Sequence, residues 1–101
     1  MNTKLMIEAI EDFDVYTLSQ RVVLKAIVAT TIDGVANISA NYLQEIAKVS
    51  RPTIYLILTR LEKDGYITRI RDESSRQNSY KINRDRLDYI INLYNNKRSL
   101  R

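Results

Sequence analysis

Cationic, hydroxyl and methyl-bearing side chains recur at helical spacing between residues 50 and 63 of the 101-residue chain. Arginine can pair bidentately with guanine in the major groove of B-DNA, and threonine can contact a thymine methyl group or a phosphate. This mixture therefore indicates contact with duplex DNA, and the alternative is an ordinary solvated helix face. The residues concerned are Ser50, Arg51, Pro52, Thr53, Tyr55, Leu56, Thr59, Arg60 and Lys63.

A helix over residues 51–64 would hold these side chains in one row. Ser50 suits the N-cap, and Pro52 is tolerated in the first turn because its missing N–H would have had no intrahelical partner. Gly65 can supply the left-handed residue that ends the helix. Apolar residues recur at i, i+3, i+4 and i+7, which predicts a buried stripe that turns the polar residues outward. The stripe consists of Ile54, Ile57, Leu58 and Leu61.

After Gly65 the pattern changes to the period of two that is typical of strands. Residues 66–71 and 78–83 are predicted to form a hairpin joined by the polar residues 72–77, and its polar side chains suit a minor groove or a row of phosphates. Asp72 and Glu73 oppose that contact, unless they orient Arg76 through an ion pair. The residues predicted to touch DNA here are Arg69, Arg71, Arg76, Gln77 and Asn78.

The preceding residues predict the elements that support this helix and hairpin. Apolar spacing predicts a helix over residues 3–13 and a central helix from Thr17 that Asp33-Gly34 stops. A short extended piece, Val35 to Ile38, comes next. A helix from Ala40 to Lys48, capped by Ser39, then leads to a tight turn. Residues 84–97 predict a last helix.

This order of elements is what a winged helix-turn-helix domain requires. Residues 50–55 and 60–67 also resemble the recognition helix and the start of the following strand in bacterial and phage winged-helix regulators, a superfamily that includes regulators similar to the MarR group. The resemblance covers residues 17–83. It implies an α+β, mostly α fold with a three-helix core, a two-stranded β-hairpin wing and additional N- and C-terminal helices. It also implies a transcriptional regulator that inserts the 51–64 helix in the major groove and lays the 69–80 wing on the adjacent groove or backbone.

Two residues depart from that pattern. Lys48 stands in the turn where relatives commonly have glycine. Leu56 stands where relatives often present arginine or another polar group, so an apolar side chain lies on the predicted reading surface. It could contact a thymine methyl group or mark a contact with another protein.

Composition narrows the function classes further. The chain has no Cys and no His, which removes disulfides, thiolate metal sites and the usual general base, so we expect no enzyme, no metal and no cofactor. A nuclease would need a group such as Asp72, Glu73 and Lys81, which stands at a hairpin tip and on the strand that leaves it rather than in a preorganised site. Three basic and six acidic residues precede Lys48, whereas thirteen basic and six acidic residues follow from Lys48 on. The basic second half indicates a polyanionic partner.

The expected protein is one winged-helix domain, 1–101, without a separate effector domain. No apolar run reaches the length of a signal peptide or membrane span, so we expect a soluble, cytoplasmic protein without a membrane partner. The two terminal helices each have one apolar face and suggest a homodimer, although both could instead complete the core of a monomer. The alternative function is a winged-helix module for protein interaction, or for assembly in replication or partition.

Overall fold

Helices and short strands alternate along residues 2–71 and 78–99, the part of the chain that this computed structural model describes. Five helices and four strands occur in those residues. In chain order they are α1 Thr3–Glu11, α2 Leu18–Ala29, β1 Thr31–Ile32, β2 Val35–Asn37, α3 Ala40–Ala47, α4 Arg51–Lys63, β3 Ile67–Arg71, β4 Asn78–Ile82 and α5 Arg84–Ser99. The predicted α+β, mostly helical class is confirmed.

Side-chain caps begin the helices α2, α3 and α4. The Thr17 side chain accepts from the backbone N–H of Gln20, whose own side chain accepts from the backbone of Thr17, so α2 starts with a capping box. Ser39 caps α3 and Ser50 caps α4, as predicted. Each cap satisfies a backbone donor that has no partner within the helix, and this fixes where the helix begins.

The sheet is larger than the predicted two-stranded wing. Its strand order is β1-β2-β4-β3, and all neighbouring strands are antiparallel. Asp33 and Gly34 both have positive φ, 53° and 84°, and join β1 to β2 in a tight turn. Thr31 and Ile32 therefore form a strand instead of the end of α2, because β-branched side chains lower helix propensity and the pairing with β2 satisfies their backbone.

Several helix ends also differ from the predicted ones. The first helix stops at Glu11 instead of residue 13, because the chain turns there to place Phe13 and Tyr16 edge to face with ring centroids 5.2 Å apart. The third and fourth helices end one residue earlier than predicted, and the last helix continues to Ser99. The two strands of the wing are each shorter by one residue, since Tyr66 and Asn83 lie outside the ladder.

The core lies where the helices meet the sheet. Ile54, Leu58 and Leu61 of α4 are fully buried, so the predicted stripe is confirmed. The terminal helices contribute to the same core through α1 residues Met6, Ala9 and Ile10 and α5 residues Leu87 and Ile90. Both helices thus help to complete the core of a single chain.

Lys48 ends α3 in the left-handed region, with φ 56° and ψ 46°. This conformation costs a non-glycine residue about 1–2 kcal/mol. Glycine avoids that cost, but its more flexible unfolded chain offsets part of the gain in stability. We therefore expect Lys48→Gly to raise the free energy of unfolding by about 0.5–1 kcal/mol in urea titrations. Glu45→Gly, inside the same helix, should lower it by about 1 kcal/mol. If both variants were destabilised equally, the strain at Lys48 would be refuted.

Candidate nucleic-acid interface

The outer face of α4 is the centre of the candidate interface. Arg51, Pro52, Leu56, Thr59 and Lys63 are exposed, and they lie opposite the buried stripe. Thr53 and Tyr55 are half-buried at the sides of this face, and Arg60 is exposed near its end. The structure thus brings together all the residues that the sequence predicted on this helix.

Hydroxyl and cationic groups cluster at the N-terminal end of α4. The Ser50 Oγ accepts from the Thr53 backbone N–H at 3.3 Å and donates to Thr53 Oγ1 at 2.9 Å. Because Thr53 accepts there, its own hydroxyl proton can still be donated to another acceptor. The Arg51 guanidinium lies 5.9 Å from the centre of the Tyr55 ring, and this contact holds the guanidinium beside the helix start. The helix dipole adds positive potential at the same place.

The first strand of the wing lies against α4. Arg69 donates to Glu62 Oε2 at 2.7 Å and to Thr59 Oγ1 at 3.3 Å, and its side chain is only 22% exposed. Arg71 at the end of β3 is exposed, and Asn78 at the start of β4 is half-buried. Arg69 is therefore held on α4, whereas Arg71 extends the basic surface beyond the helix. Arg76 and Gln77, also predicted here, lie outside the described residues, as do Asp72 and Glu73.

A polar cluster at the C-terminal end of α4 was not foreseen from the sequence. The Tyr16 hydroxyl donates to Asp64 Oδ2 at 2.5 Å, and the Arg60 Nε donates to the same oxygen at 2.7 Å. The Arg86 Nε donates to the Asp64 backbone carbonyl at 3.0 Å. Asp64 thus joins α4 to the segment between α1 and α2 and to α5. The only signal in the sequence was the i, i+4 spacing of Arg60 and Asp64, which is common on helix surfaces.

Charge and burial set the protonation of this cluster. Burial raises the pKa of the Tyr16 hydroxyl, and its hydrogen bond to Asp64 raises that pKa further, so the tyrosine stays neutral and remains a donor. Burial also opposes ionisation of Asp64, but the hydrogen bonds from Tyr16 and Arg60 outweigh it and lower the pKa of the carboxyl below its ordinary 3.8. At neutral pH the Asp64 carboxyl is therefore ionised and the Tyr16 hydroxyl is neutral.

A carboxylate with a lowered pKa in the folded state stabilises the fold above its unfolded pKa, and this contribution is lost as the pH falls through the folded pKa. Wild type should therefore be more stable than Asp64→Asn at neutral pH, and the difference should shrink as the pH falls below 3.8. Urea titrations from pH 7 to pH 2 measure this difference in the free energy of unfolding. Tyr16→Phe removes one hydrogen-bond donor to Asp64 and should make stability depend less on pH. A difference that stays constant down to pH 2 would contradict this role of Asp64.

Within residues 2–71 and 78–99, no group of three or more acidic side chains stands close enough together to hold a metal ion. Within the same residues, no helix is both long and apolar enough to cross a membrane.

Comparison with known proteins places the chain in a family. Residues 19–78, more than half of the chain, match the MarR family. The fold is similar to MepR, a transcription regulator of the Staphylococcus aureus multidrug efflux pump MepA, at 16% identity and a TM-score of 0.63, over 96% of this chain and 73% of that chain.

Two structures that contain DNA are also similar. An S. aureus MepR–DNA complex shares 19% identity with a TM-score of 0.63, over 92% of this chain and 72% of that chain. A MarR mutant from E. coli complexed with operator DNA shares 20% identity with a TM-score of 0.57, over 89% of this chain and 60% of that chain. No curated protein matches the sequence. The structural likenesses establish the winged-helix fold, and the match over residues 19–78 establishes that this chain belongs to the MarR family.

Proposed function

We propose that this chain is a sequence-specific duplex DNA-binding protein that regulates transcription by occupying an operator. The observation that carries the proposal is the outer face of α4, which is exposed along its length and has a cation at each end, Arg51 and Lys63. Membership of the MarR family supports it, as do the MepR and MarR structures that contain DNA. The proposed activity is binding and not catalysis, it requires no metal or cofactor, and it takes place in the cytoplasm with the DNA.

The dimensions of α4 fit the major groove. The helix has 13 residues and is about 20 Å long, and the groove of B-DNA is about 12 Å wide. Arg51, Thr53 and Tyr55 would make contacts at the N-terminal end of the helix, where the helix dipole and the hydroxyls also favour a phosphate. Lys63 would contact the DNA backbone at the C-terminal end of the helix. Ser50, Pro52, Leu56 and Thr59 complete the proposed contact surface.

Two of the predicted arginines have protein partners in the free chain. Arg60 is bound to Asp64, and Arg69 is bound to Glu62 and Thr59. We therefore propose that they act from the edge of the interface, by holding α4 in place and adding positive potential. Arg71 and Asn78 contact the DNA backbone in this proposal. Arg76 and Gln77 remain proposed contacts of the wing.

A homodimer through α1 and α5 is part of the proposal. The inward residues of both helices are used in their own chain, but Leu5, Ile7, Ile91 and Leu93 are only half-buried and offer apolar surface to a second copy. Two-fold symmetry would place two copies of α4 on half-sites about 34 Å apart, one turn of DNA. Sedimentation as a monomer at tens of micromolar protein would refute the dimer.

The experiment is selection of bound duplexes from a random-sequence pool, followed by sequencing. The proposal predicts enrichment of an inverted repeat whose half-sites are about one helical turn apart. Enrichment of a single, unrepeated site would support sequence-specific binding but contradict the homodimer. No enrichment would favour the alternative of a protein-interaction module, since winged helices serve both functions.

A further inference from the structure

Leu56 is an unusual residue to find in the middle of a DNA-reading surface. Its side chain is 71% exposed, although leucine is among the residues most often buried. Pro52, one turn before it, and Thr59, one turn after it, are exposed on the same side of α4. Leu56 therefore presents an apolar side chain at the centre of this face.

The polar side chains one turn after Leu56 already have partners within the chain, although the Thr59 hydroxyl proton can still be donated. Arg60 pairs with Asp64 at 2.7 Å, and the Thr59 hydroxyl accepts from Arg69 at 3.3 Å. Arg51 and Lys63 stand at the two ends of the face, and no carboxylate among the described residues forms an ion pair with either. An occupant of this face should be negatively charged along its edges and apolar at its centre.

A major groove that contains a thymine has this combination. Phosphates line both edges, and the C5-methyl group of thymine is the apolar group that a base pair presents on the groove floor. We propose that Leu56 packs against a thymine methyl group in each half-site and thereby selects a T·A pair at that position. This inference rests on the proposed function and adds to it the base that α4 selects at its centre.

The charge pattern is what favours DNA over a protein partner here. An apolar groove on another protein would match Leu56 and Pro52 but would not require cations at both ends of α4. Burial of one methyl group against leucine corresponds to about a fourfold change in affinity, and two half-sites give about fifteenfold. An effect of this size is measurable by fluorescence anisotropy.

The test replaces each thymine of the selected duplex by deoxyuridine, which removes the methyl group and leaves the pairing edge unchanged. One thymine in each half-site should be sensitive. Wild type should lose about fourfold in affinity when that thymine is replaced in one half-site, and about fifteenfold when it is replaced in both. Leu56→Ala should bind the original duplex more weakly and show no further loss on the substituted duplex. Leu18→Ala serves as the matched control, because Leu18 is 68% exposed on α2 and should leave the deoxyuridine effect intact.

Two results would overturn the inference. One is a wild-type protein that prefers its selected duplex but is indifferent to every deoxyuridine substitution. The other is a deoxyuridine loss that persists in Leu56→Ala, which would assign the methyl contact to another residue. In both cases the preference for the selected duplex stands, so the proposed function survives. If wild type shows no preference for any duplex, the proposed function fails together with the inference.

Discussion

Replacing Tyr66 by alanine is expected to lower the free energy of unfolding by about 3–5 kcal/mol, the cost of removing a large aromatic side chain from a core. Tyr66 is 1% exposed and lies between the end of α4 and the start of β3. Its ring lies edge to face with Phe13 and Tyr16, at centroid distances of 6.2 and 5.8 Å, and the Arg86 guanidinium lies 5.0 Å from its centre. The variant therefore leaves a cavity and removes contacts to two other segments of the chain, the one between α1 and α2 and α5.

Chemical denaturation of Tyr66→Ala, Tyr66→Phe and wild type measures their free energies of unfolding. The phenylalanine variant keeps the ring and its stacking, so we expect its stability to remain within about 1 kcal/mol of wild type. A loss below about 1 kcal/mol for Tyr66→Ala would show that the aromatic cluster contributes little. Because Tyr66 joins the end of α4 to α5 and to the segment between α1 and α2, the alanine variant should also bind the selected duplex less well.

Removing the Arg51 side chain is expected to have the largest effect on DNA binding. Arg51 is exposed at the first turn of α4 and held beside Tyr55, so it can reach either a base edge or a phosphate. Arg51→Ala should weaken binding to the selected duplex roughly 10- to 100-fold, as expected for the loss of a bidentate arginine contact. Arg51→Lys keeps the charge but not the planar fork, and should recover only part of the loss.

Anisotropy titrations on selected and random duplexes separate the two contacts that Arg51 can make. A loss larger on the selected duplex indicates base reading, and an equal loss on both indicates a phosphate contact. Lys4→Ala removes the same charge from the exposed start of α1 and should change affinity by no more than about twofold at physiological salt. Equal effects of the Arg51 and Lys4 variants would contradict the placement of α4 in the groove.

Local chemistry made the helix-turn-helix predictable from the sequence. Ser39 and Ser50 are strong caps, Gly65 has φ 84° after α4, and the period of the apolar stripe is helical. These signals act over one or two turns and need no knowledge of the rest of the chain. The α4 helix and its outward residues followed from them, whereas the resemblance to MarR regulators rested on residues 50–55 and 60–67.

The parts that were missed depend on residues distant in sequence. Thr31 and Ile32 become a strand only because β2 is available for pairing, and β2 in turn pairs with β4, more than forty residues later. The bond between Tyr16 and Asp64 likewise spans 48 residues. Such pairings leave no periodic trace in the sequence, so neither the four-stranded sheet nor the Asp64 cluster could be derived from spacing.

The orientation of Arg69 was beyond the sequence for the same reason. Alternation along β3 places Arg69 and Arg71 on one face, and the sequence predicts a DNA contact for both. Their surroundings differ, however, because Glu62 of α4 stands beside Arg69 and forms an ion pair with it at 2.7 Å. Which of two like-charged residues is engaged within the protein depends on tertiary packing and not on strand period.

The measurement that tests the central claim most directly is fluorescence anisotropy on selected and random duplexes across a salt series. If α4 reads a major groove, log K should fall linearly with log salt, by about 0.9 for each phosphate contacted, and the selected duplex should be preferred by roughly 10³ or more. Weak binding that is indifferent to sequence would contradict the account. The function would then lie in protein interaction, through the same exposed face of α4.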